Sequence, residues 1–459
     1  MDITRRSLIR SGVLGAAGIL MAPREGIAAI AGLPPSPSLA SAGLRKTRAT
    51  APRATAARAR SVVQVWLWGG PSHLDTFDPK PSAGYDYCGA LDKAIPTNVD
   101  GILIGELLPE LAKRADKYSL IRSLTHGINA HETAAYSVQT GRNPADRLVY
   151  PGMGAVVSLF RGYGAGYTGL LPPYIVLADL QGRFSESGFL GPRYAPFATG
   201  GDPAQTPFAV QGVVTPGVSE QRQRDRRALL HQLDALGALM QGQSTFEAYA
   251  QGEDQAYELI LGESGKVFDL SQEKDDVRER YGRNTLGQSC LAARRLVERG
   301  VPYVTINAKG WDTHKQHFQT MRQKLPQLDK GLSSLLQDLS DRGLLDSTIV
   351  WCCGEFGRTP RVQWEAPWNG GRGHWGQVFS ALVAGGGFKG GHVVGSSDAR
   401  GEEVRDRPVS PADLMGSMYE LLGLDPDNTR LPSPDGQDLR LTPAGPQRES
   451  GRGRLAEIM

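Results

Sequence analysis

Cysteine is scarce, at four in 459 residues. So few thiols cannot staple a chain of this length, and no spacing among them matches a thiolate zinc site, which excludes a disulfide scaffold and a zinc ribbon. Cys88 and Cys290 could form at most one bridge, and the sequence does not decide whether they do. Cys352 and Cys353 stand side by side in an apolar run and read as small buried residues. Long hydrophobic runs are missing too. The stretch from Val13 to Met21 is too short for an ordinary transmembrane helix. Histidine numbers only eight, and no internal repeat is evident. A surplus of one charge is likewise absent. The chain carries +3 overall, but residues 1–60 hold 10 of its 51 Lys and Arg and only 2 of its 48 Asp and Glu. The remainder has a net charge of about −5 and lacks the basic excess of a nucleic-acid binder.

What is present begins with a leader. "TRRSLIRSGVLGAAGILMA" pairs Arg5 and Arg6 ahead of a short apolar stretch, and "AIAG" at 29–32 offers small residues for cleavage. This resembles a twin-arginine export signal over residues 1–31, which implies the twin-arginine machinery as a partner and a periplasmic or extracellular location. Residues 32–60, rich in Pro, Ala, Ser and Arg, read as a disordered linker. Residues 61–445 read as one domain and 446–459 as a flexible tail.

Within that domain, apolar strands alternate with amphipathic helices. Strands are expected at 61–68, within "KYSLIRSL", and at 172–180, 347–354 and 378–387; one more follows the Gly300 helix stop. A long helix is expected from about Gln316 to Arg342, and another opens with Ser410 as N-cap and Pro411 at the first helical position. The pattern predicts an α/β/α sandwich with a mainly parallel central sheet.

In such a sheet, sites form where strands end at their carboxyl edge. Three stretches put ligand-type side chains there. "GWDTHKQHF" supplies Asp312, His314 and His317; "GEFGRTP" supplies Glu355 and Arg358; "NGGRGHWG" supplies His374. Imidazole and carboxylate are the usual ligands of Zn, Mn or Fe, and a guanidinium fork suits an anionic oxygen. Each residue also has an ordinary reading: Asp312 as a helix cap, His317 on a helix surface, Glu355 as partner of Arg358. Two earlier stretches are candidates for the same site. "GGPSHLDTFDP" offers His73 and Asp75, and "AHETAAYSVQTG" sets His131 before a short helix.

Taken in order, "WGGPSHLDTFDPKP", "HETAAYSVQTGRNP", "GWDTH", "GEFGRTP" and "GRGHW" resemble the markers of an uncharacterised family of exported bacterial proteins related to the alkaline phosphatase and sulfatase superfamily. The resemblance implies an exported hydrolase of phosphate or sulfate esters with one or two divalent ions, whether Zn, Mn, Fe or Ca. It implies an anionic ester substrate, of which a sulfated or phosphorylated glycan is one candidate. Carried onto this chain, it gives Asp312, His314, Glu355 and His374 as metal ligands. Arg358 would stabilise anionic oxygens, and His131 would be nucleophile, acid/base or ligand. Two departures stand out. Gly69 and Gly70 occupy the place where the superfamily's first strand ends in an Asp ligand, and His131 occupies the place of the usual nucleophile, with Thr133 and Ser137 as substitutes. The alternative is a non-catalytic exported binding protein that keeps the fold.

Overall fold

The computed structural model describes residues 57–144, 148–180, 186–215, 217–233, 257–443 and 453–459. Residues 1–31, expected to be an export signal, and residues 32–56 of the expected linker lie outside these. Contacts divide the chain after Ala51, and all that follows concerns the unit Pro52–Met459.

Its centre is an eight-stranded sheet. In chain order the strands are β1 (Ser61–Leu67), β2 (Tyr118–Leu124), β3 (Tyr174–Leu177), β4 (Phe197–Ala198), β5 (Tyr303–Ala308), β6 (Thr348–Cys353), β9 (Phe379–Ala384) and β10 (His392–Val394). Between β6 and β9 lies a separate two-stranded ribbon of β7 (Gly357–Arg358) and β8 (His374–Trp375). The spatial order is β10-β2-β9-β6-β1-β5-β3-β4. All neighbours run parallel except that β9 is antiparallel to both β2 and β6. The mainly parallel α/β sheet is therefore as expected, with one reversed strand inside it.

β1 is buried along its whole length because both of its faces are covered. Val63, Val65 and Leu67 join one core, while Val62 and Trp66 join the other. The first core is roofed by α2 (Thr285–Glu298) and α3 (His317–Asp341). In α3 the apolar residues Phe318, Met321, Leu325, Leu328, Leu332, Leu335, Leu336 and Leu339 recur at helical spacing and are buried. Each such side chain contributes about 1.5–3 kcal/mol relative to exposure. The second core is roofed in part by α4 (Pro411–Leu421), which starts in a capping box of Ser410 and Asp413.

All four cysteines are free and buried, so Cys88 and Cys290 do not pair. At one end, Ala59 is buried and the Arg58 and Ala59 amides donate to the Leu421 carbonyl. At the other, Leu455 and Ile458 pack into the second core, so residues 453–459 are docked and do not form the free tail expected from their Gly- and Arg-rich flank. Apolar anchors at these two positions outweigh the polar composition around them.

Candidate metal centre

Five strand-end or strand-start segments meet at one edge of the sheet. β1 leaves through Trp68, Gly69 and Gly70. The Trp68 carbonyl accepts from the Trp311 amide at 3.1 Å, so the turn after β1 lies on the turn after β5. The approach is too close for a side chain. A Cβ at Gly69 would stand 2.2 Å from the Asp312 nitrogen, and its φ of 113° is a conformation glycine adopts freely. β2 leads to His126 and then to α1 (His131–Thr140), whose first residue is His131. β6 leads to Glu355. The ribbon supplies the rest: Arg358 and His374 face one another across it.

At the middle stands the Asp312 carboxylate. The Nε2 atoms of His314 and His374 lie 3.0 and 3.1 Å from Oδ1, and His131 Nε2 lies 3.4 Å from Oδ2. Arg358 Nη2 also donates to Oδ1. His314 Nε2 and His374 Nε2 are 2.9 Å apart. Among the described residues, His131, Asp312 and His374 form a group able to hold a metal ion, each offering one ligand atom with all of these atoms within 4.8 Å.

Hydrogen bonds behind the imidazoles set their tautomers. His374 Nδ1 is 2.7 Å from the Asn129 carbonyl oxygen, which can only accept, so the proton sits on Nδ1. His131 Nδ1 donates in the same way to Glu355 Oε1 at 2.6 Å. In their neutral forms both rings therefore turn a bare Nε2 lone pair toward Asp312. A lone pair facing a carboxylate is repulsive until a cation, whether a proton or a metal ion, comes between them. The titration follows: hydrogen bonds to Asp312 and then Glu355 push His131 up to about 9. Burial works against Asp312, but hydrogen bonds from His131 and His374 and the Arg358 charge prevail and hold its carboxyl far below the usual range. His314 moves down through burial and the nearby Arg358. Burial also lowers Arg358, to about 10.

Ring contacts and supporting hydrogen bonds fix the geometry. Trp68 stacks on His131 at 5.7 Å between centroids, and Phe356 stacks on His374 at 4.6 Å. Glu355 Oε1 accepts from the Gly69 amide at 2.9 Å as well as from His131. His126, not singled out in the sequence, receives the Ile128 amide on Nδ1 and donates from Nε2 to the Glu355 carbonyl at 2.7 Å. Burial lowers its pKa, in keeping with the neutral tautomer these bonds require.

The structure thus draws His131, Asp312, His314, Arg358 and His374 together and sets Glu355 one step back, fully buried behind His131. Arg358, also fully buried, reaches Asp312 from behind. Thr133 is half-buried in the first turn of α1, and Ser137 is buried further along it. His73 and Asp75 do not join the Asp312 group. Asp75 Oδ2 accepts from His317 Nε2 at 2.8 Å and faces Arg372 Nε at 3.3 Å, all three residues being fully or almost fully buried. His73 bonds the Gly401 carbonyl at 2.8 Å. His317, read as helix surface, has no exposure at all, because its partner arrives from the β1 loop 242 residues away.

A family model described as a protein of unknown function, DUF1501, matches residues 59–449. Among curated proteins, cysteine–tRNA ligase 1 of Photobacterium profundum is 30% identical over 129 residues, 27% of this chain; the match spans 26% of that protein's length. Among solved structures, the lipoteichoic acid synthase LtaP from Listeria monocytogenes aligns over 85% of this chain and 76% of its own, at 10% identity and a TM-score of 0.38. A protein in the alkaline phosphatase superfamily from Vibrio parahaemolyticus aligns over 81% and 70%, at 10% identity and a TM-score of 0.37.

Proposed function

This chain belongs to the DUF1501 family of proteins of unknown function, and from that premise we propose that it is an exported, metal-dependent hydrolase of anionic phosphate or sulfate esters. One divalent ion is held by His131, Asp312, His314 and His374. The observation that carries this reading is the pair of imidazoles, His131 and His374, whose Nδ1 protons are committed to Glu355 and Asn129 so that both Nε2 lone pairs face one carboxylate. A ring nitrogen tied to a carboxylate or carbonyl is the usual support for a ligating histidine. Three nitrogens and a carboxylate suit Zn, and also Fe or Mn, better than Ca, which prefers oxygen throughout.

When bound, the ion supplies Lewis-acid polarisation of the ester oxygens. The chain supplies the rest. Arg358 holds Asp312 in place from behind and adds positive potential beside it, which favours an anionic substrate. Glu355 and Asn129 keep the His131 and His374 rings aimed. His131, with Nδ1 tied to Glu355 and Nε2 beside Asp312, is better placed as a ligand than as a nucleophile, which leaves water as the attacking group. Trp368 lies 6.3 Å from His314 between ring centroids, a neighbour that suits a sugar ring on the ester. Export by the twin-arginine route rests on Arg5 and Arg6. Among the described residues no helix is long and apolar enough to cross a membrane.

The test is elemental analysis of natively exported protein, wild type beside His314→Ala/His374→Ala, followed by phosphate and sulfate ester screens. Near-stoichiometric metal that disappears in the double variant supports the centre, and turnover that follows the metal supports the hydrolase. Metal without turnover favours the non-catalytic binding protein, for which the half-buried and buried positions of Thr133 and Ser137 speak. Folded wild type without metal ends both forms of the metal reading.

A further inference from the structure

Behind the centre lies a second cluster that no step above uses. Asp75 comes from the loop after β1, Thr313 and His317 from the segment entering α3, and Arg372 from the segment entering β8. All four are buried. His317 Nε2 donates to Asp75 Oδ2 at 2.8 Å. That fixes the proton on Nε2 and leaves Nδ1 as an acceptor, which the Thr313 hydroxyl meets at 2.6 Å. Arg372 Nε stands 3.3 Å from the same Asp75 oxygen, while its Nη atoms donate to the carbonyls of Thr359 at 2.9 Å and Tyr87 at 2.6 Å.

The positions of these residues in the chain give the cluster its meaning. Thr313 sits between Asp312 and His314. Arg372 is two residues before His374. The two segments are also zipped by backbone: the Arg372 amide donates to Thr313 O and the His317 amide to Gly370 O, both at 3.1 Å. At Gly371 a Cβ would fall 1.8 Å from His314 O, so no side chain separates them. One buried carboxylate therefore holds, through His317 and Arg372, both segments that carry His314 and His374.

We infer that Asp75, acting through the His317–Thr313 hydrogen bond and Arg372, is the positioning residue that sets Asp312, His314 and His374 in register for a metal ion. This rests on the metal reading above. The cluster itself takes no ion: Arg372 already neutralises its one carboxylate, and all four residues are buried. Its work is to hold the ligand-bearing loops at a fixed separation, and losing it loosens the centre without removing a ligand.

The experiment uses Co²⁺ as the probe, read by its visible spectrum and by competition with a chelator, on the full exported chain. Thr313→Val keeps shape but removes the hydroxyl; Thr313→Ser restores it; Asp75→Asn removes the charge. Thr313→Val and Asp75→Asn are each expected to bind Co²⁺ about tenfold more weakly or worse, within the range seen for supports of metal ligands. Their Co²⁺ spectra should also shift, which a change in overall stability would not produce. Thr313→Ser should match wild type, and ion-free Thr313→Val should stay folded, melting below wild type only by the loss of the donor to His317 Nδ1. Should Asp75→Asn fail to fold, the threonine pair carries the test. Wild-type affinity and spectrum in folded Thr313→Val overturn the inference. Wild type that takes up no Co²⁺ overturns the metal reading first and this inference with it.

Discussion

Two clusters in this protein are built from the same parts, an aspartate, histidine and arginine, and sit back to back. Around Asp75 the parts balance: one carboxylate, one guanidinium, one imidazole with both nitrogens engaged, and no exposure of the Asp75, His317 or Arg372 side chains. Around Asp312 they do not. Three imidazoles and a guanidinium crowd one carboxylate whose side chain is 41% exposed, and two Nε2 atoms stand 2.9 Å apart. The closed set carries its own counter-charge; the open set turns more ring nitrogens on one carboxylate than that carboxylate can pair. The difference separates a buried, neutralised cluster from an open group of ligand-type side chains, although the residue types alone do not.

The largest expected effect breaks the closed set. Asp75→Ala leaves Arg372 buried without its charge partner and should cost about 3–5 kcal/mol, read from the urea midpoint. The next is its pH dependence. Burial raises the Asp75 pKa, but Arg372 and His317 outweigh it and hold the group at about 2 against an ordinary 3.8. The folded pKa is the lower one, so the unfolded chain binds more protons in between. Asp75 therefore stabilises the fold above pH 3.8, and that share, about 2.5 kcal/mol, fades as the pH falls toward 2. Asp75→Asn should flatten that part of an acid-unfolding curve. At the open set, Zn²⁺ at a hundredfold excess over its Kd should raise stability by about 2.7 kcal/mol in wild type and by far less in His374→Ala, measured by melting with and without the ion. Glu355→Gln, which weakens the hold on His131 Nδ1, should lower metal affinity by about 10–100-fold with every ligand still present. The smallest effect is His314→Ala without metal, within about 0.5 kcal/mol of wild type, because the ring is partly exposed and structurally dispensable. Equal losses for Asp75→Ala and His314→Ala in ion-free protein would erase the distinction between the clusters.

Much of the fold was legible because its signals are local. The apolar runs at 61–68 and 347–354, and the helix expected from about Gln316 to Arg342, lie within a residue or two of the observed elements. The reversal of β9 was not legible, and it matters for the site. In an all-parallel sheet a residue just ahead of a strand lies at the amino edge, away from residues that follow strands. His374 precedes β9 and yet meets Asp312, because β9 runs the other way and starts at the carboxyl edge of its neighbours. The residue types of the centre were readable as a set, but their ranks were not. Glu355, expected among the ligands, lies behind His131 through one 2.6 Å contact between residues 224 positions apart. His317 and Asp75 read as surface and site for the same reason: nothing in either local sequence reports a partner so distant. His126 had one usable signal, its place just past the end of β2.

The bare hydrogen on Gly69 also closes an evolutionary route. On the proposed reading of one ion, the shortest path to a two-ion centre would be a point change installing an acid at the end of β1. Here that change drives a Cβ to 2.2 Å from the Asp312 nitrogen, in a left-handed backbone that resists side chains. A lineage that folded its first turn against the Asp312 turn in this way would need an inserted residue to gain a second ion, so variation at this position should appear as a change in loop length before it appears as a change in side chain.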